Sequence, residues 1–180
     1  PVLWLSMWSA GNLAEAVVLE NRFTDFTKKS KKGKNKKGNM SNLVQYKRVS
    51  DDEHLINFGN QTLPDIHIDY KGIPKEERGG TSVKLLGASC LYCFAATLGS
   101  ALTARGAEVR SISGSVEMLK GKDEIRRTKV TEMNISVEVE IDDQYEPILE
   151  KCRKIMERGC LLTYTLEEAI EITYQINRKS

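Results

Sequence analysis

The 180-residue sequence is poor in the residues that build metal sites and disulfide scaffolds, with two histidines, His54 and His67, and four cysteines, Cys90, Cys93, Cys152 and Cys160. A structural zinc site takes about four ligands. Two histidines on early strands and one CxxC without a second fall short of that, so no metal and no bound cofactor are expected. The cysteines are also too few and too late in the chain for a disulfide framework. A reducing, cytoplasmic setting is expected instead, in which each cysteine is either a small buried apolar residue or a chemically active one. No run of about 18 apolar residues occurs, so nothing is expected to span a membrane. Val2, Leu3, Trp4, Leu5, Met7 and Trp8 lack a basic leader, and Glu15 and Glu20 interrupt the stretch, a poor match to a secretory signal.

What is present reads as an ordinary folded protein of about one domain, 40% hydrophobic and 29% charged. The net charge of +2 is unevenly spread: residues 1–39 hold eight basic and three acidic side chains, +5, leaving −3 for the rest. A mildly acidic domain behind a basic leader does not read as a nucleic-acid-binding fold. Residues 28–38, KKSKKGKNKKG, contain nothing apolar to bury and are read as a solvated linker. Met40 follows, and the folded pattern begins there. The expected division is an N-terminal extension, 1–39, and a domain, 40–180, with Met40 as a natural start.

Within the domain, Leu43–Val49 and His54–Phe58 predict a hairpin turning through Ser50, Asp51 and Asp52. Ile66, Ile68 and Tyr70 alternate with polar residues as in a half-buried strand. After a Gly/Pro loop, Ser82 is the expected N-cap of a long helix ending near Ala104, with Gly106 at C′. Leu86, Cys90, Cys93, Phe94, Thr97, Leu98 and Ala101 make its apolar stripe. Gly87, Ala88, Ser89, Ala95, Ala96, Gly99 and Ser100 flank that stripe with little bulk, which predicts a central, buried helix approached closely by its neighbours. Two strands follow, Glu108–Leu119 and Val130–Ile141, then a helix from Tyr145 to Arg158 with Ile148, Leu149, Cys152, Ile155 and Met156 on one face. Gly159 closes it, Cys160 follows directly, a turn spans Thr163–Glu167, and a last strand carries Ile170, Ile172, Tyr174 and Ile176. The order βββ-α-ββ-α-β is that of an antiparallel-type α+β domain.

The cysteines are the residues whose placement asks for an explanation. Cys152, mid-stripe, reads as plain core, and Cys90 nearly so. Cys90-x-x-Cys93 lies about two turns inside its helix, whereas a thioredoxin-like motif sits at a helix N-terminus. Residues at i and i+3 hold their Cβ atoms ~5–6 Å apart, but a disulfide wants ~3.8 Å. A Cys90–Cys93 bond would therefore strain the helix, and a pair formed with Cys160 is sterically better placed.

Two segments, GASCLYCFAATLGSALTARG (87–106) and ERGCLLTYTLEEAIEITYQI (157–176), resemble the OsmC/Ohr family of osmotically inducible and organic hydroperoxide resistance proteins. Cys93, followed by Phe94, matches the family's first cysteine, and Cys160, in its Gly-Cys start, matches the second. The resemblance covers about residues 40–180, most strongly from 79 onward. It implies an OsmC-like fold in an intertwined homodimer with long central helices. It also implies Cys93 as the thiolate that attacks a hydroperoxide, a Cys93–Cys160 disulfide, and restoration by an external dithiol such as dihydrolipoamide. Where catalytic members carry a glutamate early in the central helix this chain has Val83, and where they have proline after the second cysteine it has Leu161. The activating arginine of the N-terminal strands has Arg48 as its candidate here. An alternative function is a divergent, non-enzymatic module, redox-responsive or ligand-binding.

Overall fold

A computed structural model of the chain describes residues 42–179, so the readings of 1–39, of the lysine-rich segment 28–38 and of Met40 lie outside the described residues. The elements are β1 (Gln45–Arg48), β2 (Glu53–Asn57), β3 (Ile66–Asp69), α1 (Thr81–Thr103), β4 (Val109–Lys122), β5 (Thr128–Ile141), α2 (Glu146–Met156), α3 (Leu161–Leu166) and β6 (Glu171–Arg178). The α+β order is the expected one with one addition. The segment read as a turn after Cys160 is a six-residue helix, α3. The chain falls into two compact units that part between Arg78 and Gly79.

The first unit is an antiparallel sheet, β1-β2-β3. Its hairpin turns where the polar Ser50-Asp51-Asp52 run demands, with Arg48 opposite His54, and Leu55 on β2 is fully buried. Arg78 ties the unit's end to its turn, donating to Asp52 at 2.5 Å and to the Ile73 carbonyl at 2.7 Å. The histidines read as surface strand residues are a half-buried His54, hydrogen-bonded to the Tyr46 hydroxyl, and an exposed His67 against Glu53.

The second unit is a three-stranded sheet, β4-β5-β6, with α1 laid across it. Met133, Ile135, Val137, Val139 and Ile141 on β5 are all buried, one inward face at the period of two that their alternation predicts. β4 and β5 are antiparallel, but β6 runs parallel to β5. That corrects the antiparallel reading. Two helices, α2 and α3, intervene between β5 and β6, and a crossover of that length returns the chain to pair in the same direction.

Helix α1 buries Gly87, Cys90, Phe94, Leu98 and Leu102. The stripe is centred slightly differently from the expected one: Leu86, Cys93 and Ala101 sit half-buried on its flank, and Thr97 is exposed. The small residues act as expected on the sheet side. A Cβ on Gly87 would meet Val116 Cγ1 at 3.1 Å, and one on Gly99 would meet Ile112 Cδ1 at 3.3 Å, so helix and β4 pack at glycine distance. The opposite side, with Ala88, Ser89, Tyr92, Ala96 and Ser100, is exposed in the chain, so α1 is buried along one face and not all round.

Two further expectations for this helix need correcting. Gly80, in the left-handed region at φ 72°, is the N-cap, and Ser82 lies inside the helix. The residue that redirects the loop into the helix must take a positive φ, which glycine does without strain. Helix α1, within the stretch Lys75–Thr103, is also long and apolar enough, by length and composition, to cross a membrane. The apolar run was missed because serines, threonines and glycines punctuate it; Lys84 is its one charge from Gly79 onward.

Candidate functional site

Four free cysteines lie in the second unit, and the fold sorts them into two groups. Cys152 is fully buried on α2 among Leu149 and Met156. Burial raises its thiol, partly countered by the charge of Arg105. It is core, as read. Cys90, also fully buried, is one helical turn from Cys93 on α1. Its thiol is pushed up to about 11 by burial first, then by the nearby Cys160 and Cys93.

Cys93 and Cys160 are brought together, close enough that each thiol influences the ionisation of the other. Their settings differ. Cys93 stands half-buried on the flank of α1, and the Thr97 hydroxyl one turn on donates to its carbonyl at 2.8 Å. Cys160 is only 4% exposed. It is the N-cap of α3, at the point where Gly159 (φ 73°) ends the α2 region and turns the chain inward.

Cys160 and Thr163 close a reciprocal cap. The Thr163 N–H points at the Cys160 sulfur, and the Cys160 N–H donates to Thr163 Oγ1 at 2.8 Å. The Thr163 hydroxyl is also 3.5 Å from the Cys160 sulfur. This is the capping-box arrangement with sulfur in place of a serine oxygen. Thr163 itself is fully buried. Behind it stands Tyr174 of β6, whose hydroxyl lines the space beside Gly159 together with that of Thr163. The Tyr174 ring lies flat on Phe94, with centroids 4.8 Å apart and planes within 5°. Gly159 is required here twice over. Its φ is positive, and a Cβ would strike the Thr163 hydroxyl and sit 2.7 Å from the Tyr174 hydroxyl.

These donors decide the electrostatics. Burial works to raise the Cys160 thiol, but hydrogen bonds from Cys93, from Thr163 and from the backbone N–H groups of Thr163 and Leu162 outweigh it, and the net direction is down. Cys93 goes up, from burial first and then from the neighbouring Cys160, although the Leu162 N–H and Thr97 offset part of this. Tyr174 is raised as well, chiefly by burial.

Arg48, the candidate activating arginine, is exposed on β1 of the first unit and ion-paired with Asp51 at 2.6 Å. Val83 is half-buried near the start of α1. Among the described residues no group of three or more His, Cys, Asp or Glu side chains is placed to hold a metal ion. A surface cleft along the sheet end is lined by Arg110, Glu140, Asp142, Asp143, Arg178 and Lys179 and includes none of the cysteines. Its charges pair with one another, Arg110 with Asp142, Arg178 with Asp143 and Lys179 with Glu140.

Sequence reasoning passed over Thr163 and Tyr174. The signal for Thr163 was available, since a hydroxyl three residues after a helix-starting residue is the capping spacing. Tyr174 offered only its place on the inward face of a strand.

Residues 75–175 match the family described as OsmC-like protein, and the chain belongs to that family. Similar solved structures include an OsmC-like protein from Mycoplasma pneumoniae, 14% identical, with a TM-score of 0.64 over 79% of this chain and 99% of that one. An OsmC-like protein of unknown function from Vibrio cholerae is 16% identical, with a TM-score of 0.58 over 74% of this chain and 96% of its own. An organic hydroperoxide resistance protein from Elizabethkingia anophelis is 12% identical, with a TM-score of 0.54 over 76% and 96%. At these identities the likeness is one of fold. No curated protein matches the sequence.

Proposed function

We propose that the chain is a thiol-dependent peroxidase that reduces organic hydroperoxides through Cys93 and Cys160. The observation that carries this reading is the proximity of Cys93 and Cys160, the first half-buried and the second almost fully buried. Cys93 attacks the O–O bond, becoming a sulfenic acid and releasing the alcohol. Cys160 then displaces water from that sulfur to form a disulfide, and an external dithiol supplies the two electrons that reopen it. A sulfenic acid that meets a thiol at once escapes over-oxidation. The hydroperoxide resistance protein of the same fold supports the substrate class. We propose further that the protein works in the cytoplasm as a homodimer, with the exposed small-residue face of α1 covered by a second copy, and binds neither membrane nor nucleic acid.

A second reading, a slow redox-responsive module without turnover, is favoured by one feature: the Cys93 thiol is raised, not lowered. A thiol near pKa ~8.5 is already only a few per cent thiolate at neutral pH. Single-turnover consumption of cumene hydroperoxide, hydrogen peroxide and a lipid hydroperoxide by the reduced protein separates the two. The peroxidase reading expects rates well above those of a free thiol, fastest with an organic peroxide. Rates equal to free thiol would remove it and leave the module.

A further inference from the structure

The β4–β5 hairpin runs past the rest of its sheet. β6 pairs with β5 only from Glu132 to Val139. Beyond that edge β4 and β5 continue as a two-stranded ribbon, with Lys120 opposite Val130, Gly121 opposite Lys129 and Lys122 opposite Thr128. Residues 120–129 hold five basic side chains, Lys120, Lys122, Arg126, Arg127 and Lys129, against Asp123 and Glu124, a balance of +3. The domain as a whole, 40–180, stands at −3. All five basic residues are exposed, and so is Ile125 at the tip, 70% of it.

The tip is a built loop with one strained residue. The Arg126 N–H donates to the Asp123 carbonyl and the Asp123 N–H to the Arg127 carbonyl, both at 2.9 Å. The Asp123 carboxylate accepts from the N–H groups of Ile125 and Arg127 at 3.2 and 2.7 Å and from the Arg127 side chain at 2.9 Å. Arg126 sits at φ 65°, the one non-glycine residue with a positive φ among the described residues. Hairpin loops of this kind take glycine there, because a side chain adds strain. Strain kept in a native loop calls for a use of the side chain that causes it. Here that side chain sets a cation directly beside the exposed Ile125, and the bonds to Asp123 hold both in place.

We propose that this ribbon is a docking finger for an acidic protein surface, with Ile125 entering an apolar notch and Arg126 and the flanking lysines meeting carboxylates around it. An apolar centre inside a polar rim is the anatomy of a protein contact. DNA and anionic membranes act on charge over a longer range, and the negative balance of the domain opposes them. Glu124, exposed next to Ile125, would also face a surface of like charge there, whereas on a protein it needs to meet only one cation. A preformed loop loses little freedom on docking. One hairpin tip covers less than a standard interface, so the complex is transient, steered by charge and weakened by salt. The inference is independent of the cysteine chemistry.

The test uses the reduced full chain and a labelled synthetic peptide, two central leucines flanked by Asp and Glu, followed by fluorescence anisotropy. Duplex DNA and phosphatidylserine vesicles are the rival probes. Wild type should bind the peptide more tightly than either rival, and less tightly as salt rises. Arg126→Gly removes the charge and relieves the strain, so the thermal midpoint should hold or rise while peptide affinity falls about fivefold. Ile125→Ser should fall about as far, and Arg126→Lys, which keeps the charge, should stay near wild type. Amide exchange should place the protection given by bound peptide on residues 120–129. Failure of wild type to bind the peptide, undiminished binding by both Arg126→Gly and Ile125→Ser, tighter binding of DNA or vesicles, or protection confined to the lysine-rich segment 28–38 overturns the docking finger.

Discussion

Cys90 and Cys160 are buried to nearly the same degree, 0% and 4% exposed, yet their thiols move in opposite directions. The region around Cys90 is the helix–sheet core, where apolar side chains surround the sulfur. The region around Cys160 is a helix start, where backbone N–H groups and a threonine hydroxyl converge. Burial alone penalises the thiolate in both places, and only hydrogen-bond donors reverse it. A buried thiol in this fold is thus raised or lowered according to the donors that a nearby helix end supplies. Cys93 stands between the two extremes, half-buried and beside Cys160.

The largest expected effect removes the contrast at its reactive end. Cys93→Ser should reduce peroxide consumption to the background of free thiol, and mass mapping after mild peroxide should find no disulfide at Cys160. Full survival of activity would sink the proposed mechanism. Next in size is Gly159→Ala, which strikes the hinge of the reactive region. A non-glycine residue in the left-handed region costs ~1–2 kcal/mol, and overpacking adds typically ~1–3 kcal/mol. Denaturant unfolding should show a loss of about 2–5 kcal/mol, with Cys160 more accessible to alkylation. A loss of only ~1–2 kcal/mol would mean that the two hydroxyls yield easily and the backbone cost alone remains.

The core end of the comparison is tested by pH. The Cys90 thiol is raised in the folded protein, from 9.0 to about 11. A group raised on folding contributes stability that is intact below its unfolded value and lost as pH climbs toward the folded one. Stability should therefore be insensitive to Cys90 at neutral pH and decline between roughly pH 9 and 11, by up to ~2.7 kcal/mol at two pKa units. Urea unfolding across that window should be visibly shallower in slope for Cys90→Ala. Equal slopes in the two proteins would show that Cys90 ionises freely.

Most of this architecture was legible from periodicity. The alternation of Met133 to Ile141 and the spacing of Cys90, Phe94 and Leu98 report directly which faces are inside, because burial follows the geometry of a strand or helix. The parallel return of β6 was not legible, since strand direction depends on what the intervening chain does in space. Nor was α3, six residues with Thr163 and Thr165, whose helical state comes from the Cys160 cap and packing against α1 more than from propensity. The two cysteines could be named from their motif contexts. The opposite directions of their thiols could not, because these depend on the two sulfurs' own proximity and on the N–H groups of Leu162 and Thr163, which only the fold brings there.

The smallest expected effect belongs to Cys152, and it separates core from site most cleanly. Cys152 is fully buried on the same face of α2 as Leu149 and Met156, and burial is the first influence on its thiol. Its thiol is raised by burial, so it stays neutral and behaves as a small apolar side chain. Cys152→Ala removes one sulfur atom from a packed core, and the surrounding residues can close only part of the space. The cost should be about 1 kcal/mol, read as a shift in the urea midpoint with the slope unchanged. Peroxide consumption, the Cys93–Cys160 disulfide and its reopening should all match wild type at a temperature where both proteins are folded. If Cys152→Ala abolishes reactivity while Cys160→Ala does not, the sulfur that answers Cys93 is on α2, and the cap of α3 is a structural feature only.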